Sequence, residues 1–270
     1  MTLHIRPTPA GAEVTGVQIA SLTASQEKAL ADAFSQHGAL FFREQSIDEL
    51  QHIAFARRWG NININRFFRR HREYDEIAMV VKTPDYAQNI GGSWHADHSY
   101  DPEPALGSVL VARELPDTGG DTLFASMTRA YAGLDDATKR QISSLSAVHS
   151  GSQAFGTKAD GYDAADSRFE NADVADALAD VVHPLVIKHP LSGQSTLFVN
   201  PGFTVGVVGM TEEASTELLH MLFTHALSPR YVYRLQWRPG TVALWDNRAC
   251  LLYTSPSPRD ATLSRMPSSA

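Results

Sequence analysis

Short extended runs of apolar residues, broken by stretches with a helical period, organise this chain. Leu3 to Ile5 and Ala12 to Ile19 read as strands on either side of the turn-prone segment Pro7 to Gly11. Thr23 can cap a helix over Ala24 to Gln36, because Gln26 stands three residues on and Leu30, Ala33 and Phe34 share one face; Gly38 stops it. Ala39 to Arg43 is an apolar strand. Ser46, with Glu49 completing a capping box, opens a second helix that ends at Gly60. In the centre, Glu76 to Lys82, Gly107 to Arg113 and Asp121 to Ala125 look like strands, and Met127 to Leu134 and Asp136 to Leu145 like helices. Residues 155–179 are polar with no strong period and read as a long excursion of loop and helix, of the kind that is often a lid or disordered. Strands resume at Val181 to His189, Ser195 to Asn200, Val232 to Trp237 and Thr241 to Trp245, with a capped helix over Thr211 to Leu227.

No βαβ repeat is evident in this order, and neither a GxGxxG nor a phosphate-loop string occurs. The series favours a mainly β chain with flanking helices, a double-sheet barrel or jelly roll, over a mixed α+β sandwich. At 270 residues and 43% hydrophobic, the chain holds enough apolar material for one large domain. Its 23 basic and 30 acidic residues give a formal net charge of -7, dispersed along the sequence, which argues against nucleic acid as a partner. The densest basic patch, Arg66, Arg69, Arg70, His71 and Arg72, runs straight into Glu73, Asp75 and Glu76 and reads as a solvated loop. A single cysteine, Cys250, excludes an internal disulfide and reads as a small buried hydrophobe. The start shows no secretory leader and no apolar run reaches spanning length, so the expectation is a cytoplasmic protein with a small-molecule substrate and no membrane partner. Homo-oligomerisation stays open.

The sharpest chemical feature is Trp94-His95-Ala96-Asp97-His98. In an extended segment, His95 and Asp97 lie on one face, so an imidazole and a carboxylate point at one spot. With a second histidine they would complete a two-histidine, one-carboxylate face suited to ferrous iron, with positions left open for co-substrates. A surface loop carrying the same three letters by chance is the competing reading. His98 faces away in the extended picture, as a surface or supporting residue. The glycines of Pro116 to Thr122 fix where the next strand begins, so Thr122 presents its hydroxyl from a defined place, or is an ordinary strand threonine. His183 and His189 flank an apolar strand and read as structural. Asp246 and Arg248 can pair at the rim of a barrel.

The whole set resembles the TauD/TfdA family of Fe(II)- and 2-oxoglutarate-dependent dioxygenases. The resemblance is carried by His95 to Asp97, Leu115 to Thr122, His189 to Gly193, Leu197 to Phe203 and Ala243 to Arg248, with Gly38 to Gln45 and Arg58 to Gly60 at the amino end. It runs from about residue 5 to 249. What it implies is a double-stranded β-helix of the jelly-roll type, with Fe(II) as metal and 2-oxoglutarate and O2 as co-substrates. His95 and Asp97 would be metal ligands and Thr122 would bind the 2-oxoglutarate carboxylate. The expected activity is hydroxylation of a small, anionic organic substrate with release of succinate and CO2. Where taurine dioxygenases place a sulfonate-contacting histidine and a tyrosine, this chain has Asn65 and Phe68; both are candidates for the substrate pocket, and neither gives a sulfonate a charged partner. Their asparagine before the iron motif falls at about Gly91.

The resemblance fails at the carboxyl end. The second iron histidine of the family aligns with Leu252, and the arginine strand that should follow is replaced by a segment with Pro256 and Pro258, which a sheet interior would not accept. Arg259 and Arg265 stand in no matching context. Residues 1–249 therefore read as the dioxygenase domain, expected to lack its final strand, and 250–270 as an atypical tail of foreign character. For the chain as written, an inactive truncated homologue or a small-acid-binding protein without turnover competes with the enzyme.

Overall fold

The computed structural model describes residues 2–65, 67–81, 91–117, 119–152 and 179–255. The opening hairpin pairs β1 (His4–Thr8) with β2 (Gly11–Thr15), and Pro7 is accommodated because β1 is an edge strand. Helix α1 (Ala24–His37) has the expected reciprocal cap between Thr23 and Gln26 and ends at Gly38 with φ 73°. It leads into β3 (Ala39–Phe42), which lies parallel to β2. Helix α2 (Glu49–Arg57) begins later than expected: Asp48, not Ser46, is the cap, and Gln51 closes the box. The Asp48 carboxylate accepts from Gln51 N–H at 2.8 Å and Gln51 Oε1 accepts from Asp48 N–H at 3.0 Å, which sets the start just after buried Ile47.

Strands β4 (Gly107–Val111) and β5 (Thr122–Ser126) follow, then helices α3 (Met127–Ala132) and α4 (Asp136–Ile142) and strand β6 (Ser146–His149). The run Val181 to His189 is not one strand. It splits into β7 (Val181–Pro184) and β8 (Val186–Lys188), in different sheets, around fully buried Leu185. Next come β9 (Ser195–Leu197), β10 (Thr204–Val207), helix α5 (Glu212–Ala226), β11 (Val232–Leu235), β12 (Val242–Asp246) and β13 (Cys250–Thr254). Glu76 to Val81 form no strand; Ala78 makes only an isolated bridge to Arg70, and Val80 and Val81 are exposed. The expected excursion at 155–179 and the segment from Pro256 onward lie essentially outside the described residues.

Among the described residues the strands assemble as β1-β2-β3-β12-β4, β11-β5-β13, β10-β6-β7 and β8-β9. Alternation decides what the five-stranded sheet covers. Leu40, Phe42, Val242 and Leu244 face outward onto Leu30 and Phe34 of α1 and Phe55 of α2. Ala39, Phe41, Ala243 and Trp245 face inward, onto Phe124, Leu235 and Leu252 of the three-stranded sheet. Rings of Phe41 and Phe124 meet at 5.0 Å, and those of Phe124 and Trp245 at 5.7 Å. Each such buried aromatic contributes roughly 2–3 kcal/mol of transfer free energy, so this face-to-face contact is what closes the barrel. The fold is the expected jelly roll, with helices outside. No helix among the described residues is long and apolar enough to cross a membrane.

Candidate functional site

The barrel interior between these two sheets ends in a cluster built around His95. His95 forms an isolated antiparallel bridge with Leu252, its N–H reaching Leu252 O at 3.1 Å and its carbonyl accepting from Leu252 N at 2.9 Å. Directly opposed residues in such a pair share a face. In the β5–β13 register Leu252 opposes Phe124 and Thr254 opposes Thr122. His95, Leu252, Thr254, Phe124 and Thr122 therefore all look to the same side, into the barrel. The chain is extended at His95 but turns at once over residues 97–100, with His98 at φ 59°, so strand parity alone does not produce the pairing expected from sequence. The pair forms nonetheless: His95 Nε2 and Asp97 Oδ1 are 3.4 Å apart.

Several neighbours fix this pair. The Ser93 carbonyl accepts from His95 Nδ1 at 2.7 Å, which places the proton of a neutral imidazole on Nδ1 and leaves the Nε2 lone pair towards Asp97. A β-carbon on Gly202 would lie 2.9 Å from His95 Cβ, and one on Gly91 (φ 72°) 3.1 Å from His95 Cε1; both positions admit only glycine while His95 stays where it is. Phe203 stands edge-on to the imidazole at 6.2 Å. On the other side, Ser108 of β4 donates its hydroxyl to Asp97 Oδ2 at 3.2 Å and lies 3.5 Å from Asn247 Oδ1. Burial would push His95 below its ordinary value, but the hydrogen bond and charge of Asp97 outweigh it and the net shift is upward. Burial would raise Asp97, and the His95 contact, the charge of His98 and the Ser108 hydroxyl together bring it below the usual carboxylate range. Two electron-pair donors facing each other across 3.4 Å call for a cation between them, a proton or a metal ion.

Thr122 is buried at the start of β5. Trp237 Nε1 donates to its Oγ1 at 2.9 Å, so the hydroxyl proton remains to be given to an acid. Asn65 uses its side-chain oxygen locally, accepting the N–H groups of Phe67 and Phe68, each at 2.9 Å. Phe67 rather than Phe68 is the buried neighbour; its ring meets Tyr100 at 5.8 Å, and Tyr100 meets Phe203 at 4.7 Å, an aromatic line that ends on His95. The rim pair expected at Asp246 and Arg248 is present, with Arg248 bidentate on Asp246. Sequence reasoning missed its third member: buried His189 donates Nε2–H to Asp246 Oδ2 at 2.8 Å, while Ser192 N–H donates to its Nδ1. Burial would raise the Asp246 carboxyl, but His189 and Arg248 lower it below its ordinary value. Cys250 is buried and its thiol is pushed upward by burial, as an inert core residue.

A jelly-roll barrel with a His-x-Asp pair on its inner face is the scaffold of a non-haem metal oxygenase. Residues 4–251 match the family described as "Taurine catabolism dioxygenase TauD, TfdA family", and the chain belongs to it. It is 33% identical over 266 residues to an (S)-phenoxypropionate/alpha-ketoglutarate-dioxygenase of Sphingobium herbicidovorans, covering 95% of this chain and 89% of that protein. A protein of the same description from Delftia acidovorans is 34% identical, with 98% and 93% covered. The solved structure of AAD-2 in complex with Mn(II) and N-oxalylglycine superposes with a TM-score of 0.74 at 27% identity, covering 95% of this chain and 92% of that one. Members of the family are Fe(II)- and 2-oxoglutarate-dependent dioxygenases that consume O2.

The described residues do not complete that metal set. His95 and Asp97 would offer one nitrogen and one oxygen, and Leu252, paired opposite His95, has no donor atom. Among the described residues no three His, Cys, Asp or Glu converge as a metal cage.

Proposed function

We propose that this scaffold serves an oxygenase that hydroxylates a small, anionic organic substrate while 2-oxoglutarate is converted to succinate and CO2. In this reading His95 and Asp97 are its metal-facing pair and Thr122 gives its free hydroxyl proton to the co-substrate carboxylate. What supports it is the His95–Asp97 pair, 3.4 Å apart, next to strands β5 and β13, whose register puts Thr122 on the same face as Leu252, the residue opposite His95. An anionic substrate is supported by the relatives named for phenoxypropionate, itself a carboxylate joined to an aryl ether. Taurine is not the preferred substrate, because Asn65 offers no charge and its oxygen is held by backbone N–H groups.

Residues 250–270 would be replaced by the corresponding end of a phenoxypropionate-type relative, and oxygen-dependent succinate formation measured with Fe(II) over aryloxyalkanoates, simple carboxylates, sulfates and sulfonates. Acids with an apolar body should rank first. Taurine ranking first would refute the substrate assignment, and no succinate from any acid would refute the activity. Leu252 favours a second reading for the chain as written: the barrel binds a small acid but does not turn over, so 2-oxoglutarate binding should survive in it where succinate formation does not.

A further inference from the structure

The strand that would carry the third donor is already built. β13 pairs with β5 over all five of its residues, from Cys250 opposite Ser126 to Thr254 opposite Thr122. Its other edge is tied to the His95 segment by the two bonds between His95 and Leu252 and by Thr254 N–H to the Gly91 carbonyl at 2.8 Å. These bonds fix position 252 against His95 in register, and a strand register cannot slip by one residue without turning every side chain to the opposite face. Leu252 is 8% exposed and packs in the apolar cluster with Phe124 and Trp245, so its side chain takes the inward direction that a ligand would need.

No other histidine can take that role. The chain has eleven, and all of them lie among the described residues. His52 is bonded to the Val109 carbonyl, His98 to Asp101, His183 to the Asp101 carbonyl, His189 to Asp246 and His225 to the Ala130 carbonyl. His149 packs between Phe198 and His183, and His220 is exposed on the helix α5. His4, His37 and His71 belong to the opening strand, the end of α1 and the loop before Ala78.

We propose that a single side chain, Leu252, separates this chain from a three-donor divalent-metal centre, the backbone that must hold the missing donor being complete and in register. The inference rests on His95 and Asp97 being the metal pair. It concerns metal binding, and stands apart from turnover, which also needs a partner for the far carboxylate of 2-oxoglutarate.

The test is Co(II) binding at neutral pH, by calorimetry and by visible absorbance, to the full chain and to Leu252→His, Leu252→Ala and Leu252→His/His95→Ala. Loss of an outer-sphere partner alone typically costs roughly 10–100-fold in metal affinity, so gain of an inner donor should give at least about 100-fold. Leu252→His should reach that gain and show ligand-field bands that the unaltered chain lacks, and the added His95→Ala should abolish both. If Leu252→His does not fold by circular dichroism, Leu252→Ala with added imidazole reads the same geometry, since free imidazole can enter the space left by leucine. A folded Leu252→His, or imidazole-treated Leu252→Ala, that binds no tighter than the unaltered chain overturns the inference. So does an unaltered chain that already binds as tightly as Leu252→His. Tightening that survives His95→Ala would instead sink the metal assignment of His95 and Asp97, whereas tight binding without succinate from the tail-replaced enzyme would leave this inference intact and refute only the activity.

Discussion

His149 should make the protein acid-labile, and replacing it by phenylalanine should remove that lability. The imidazole is fully buried on β6, stacked on Phe198 with centroids 5.5 Å apart and perpendicular to His183 at 5.3 Å. Neither ring nitrogen has a hydrogen-bond partner; the Phe198 backbone lies near but outside bonding geometry. Burial first, and the neighbouring His183 second, bring its pKa from 6.5 to about 3. The folded state therefore keeps His149 neutral while the unfolded chain protonates it below about pH 6.5. Its contribution to stability is intact above that pH and falls as pH drops towards 3, by about 1.4 kcal/mol per unit. Between pH 7 and pH 5 that amounts to about 2 kcal/mol. Phenylalanine keeps the ring stacking and removes two unpaired buried nitrogens, worth about 1–3 kcal/mol each, against the strain of a slightly larger ring, about 1–3 kcal/mol. The two ranges overlap and oppose each other, so the sign at neutral pH decides nothing. The slope does. Urea unfolding followed by tryptophan fluorescence at pH 5, 6, 7 and 8 should show the advantage of His149→Phe over the unaltered chain growing by about 2 kcal/mol from pH 7 to pH 5. Carboxylates common to both chains cancel in that difference. A difference that stays constant with pH would refute the reasoning.

Gly202→Ala should lower stability by about 1–3 kcal/mol, since its methyl meets His95 Cβ at 2.9 Å and the Trp94 carbonyl at 3.2 Å, and thermal unfolding would register it. The same change in the Leu252→His background should weaken Co(II) binding, because His95 must move. Ser108→Ala leaves Asp97 Oδ2 without its hydroxyl donor and should weaken Co(II) binding in that background by roughly 10-fold, with Ser108→Thr restoring most of it. Leu252→His without metal should be less stable than the unaltered chain by about 1–3 kcal/mol through lost apolar burial, and Co(II) at a hundred times its dissociation constant should return about 2.7 kcal/mol. Urea unfolding with and without the metal reads both.

The legible parts of the sequence were those decided by neighbours in the chain. The reciprocal cap of Thr23 and Gln26, the stop at Gly38 and the inward–outward alternation of Ala39 to Phe42 all appear where pattern puts them. The His-x-Asp pair was legible as a motif, but its geometry comes from a bridge to Leu252 and a turn with His98 at positive φ, which no local spacing encodes. Glu76 to Val81 had strand composition and found no partner strand, while β13 had a short apolar run and found two sets of partners. Ser108 and Asn247 could not be read at all, because their contact depends on the β4–β12 register joining residues 139 apart in the chain. The His189–Asp246 bond spans 57 residues and was hidden for the same reason, although Arg248, only two residues from Asp246, was foreseen.

Position 252 shows how fold and chemistry can part within one residue. Strand β13 is held by backbone bonds to β5 on one edge and to His95 and Gly91 on the other, and those bonds do not depend on the side chain. Its inward side chains need only be compatible with an apolar face, a condition that leucine meets better than histidine, because an unmetallated imidazole there would carry two polar nitrogens beside Phe124 and Trp245. Leucine at 252 therefore suits an interior held by strand pairing and apolar packing rather than by a metal, unlike small domains whose folding free energy is metal binding. A donor at 252 is useful to the site alone and costs the fold something. The large apolar contact between the two sheets can absorb that cost, so the scaffold of a metal oxygenase can be recognisable over residues 4–251 while the described residues complete no metal set.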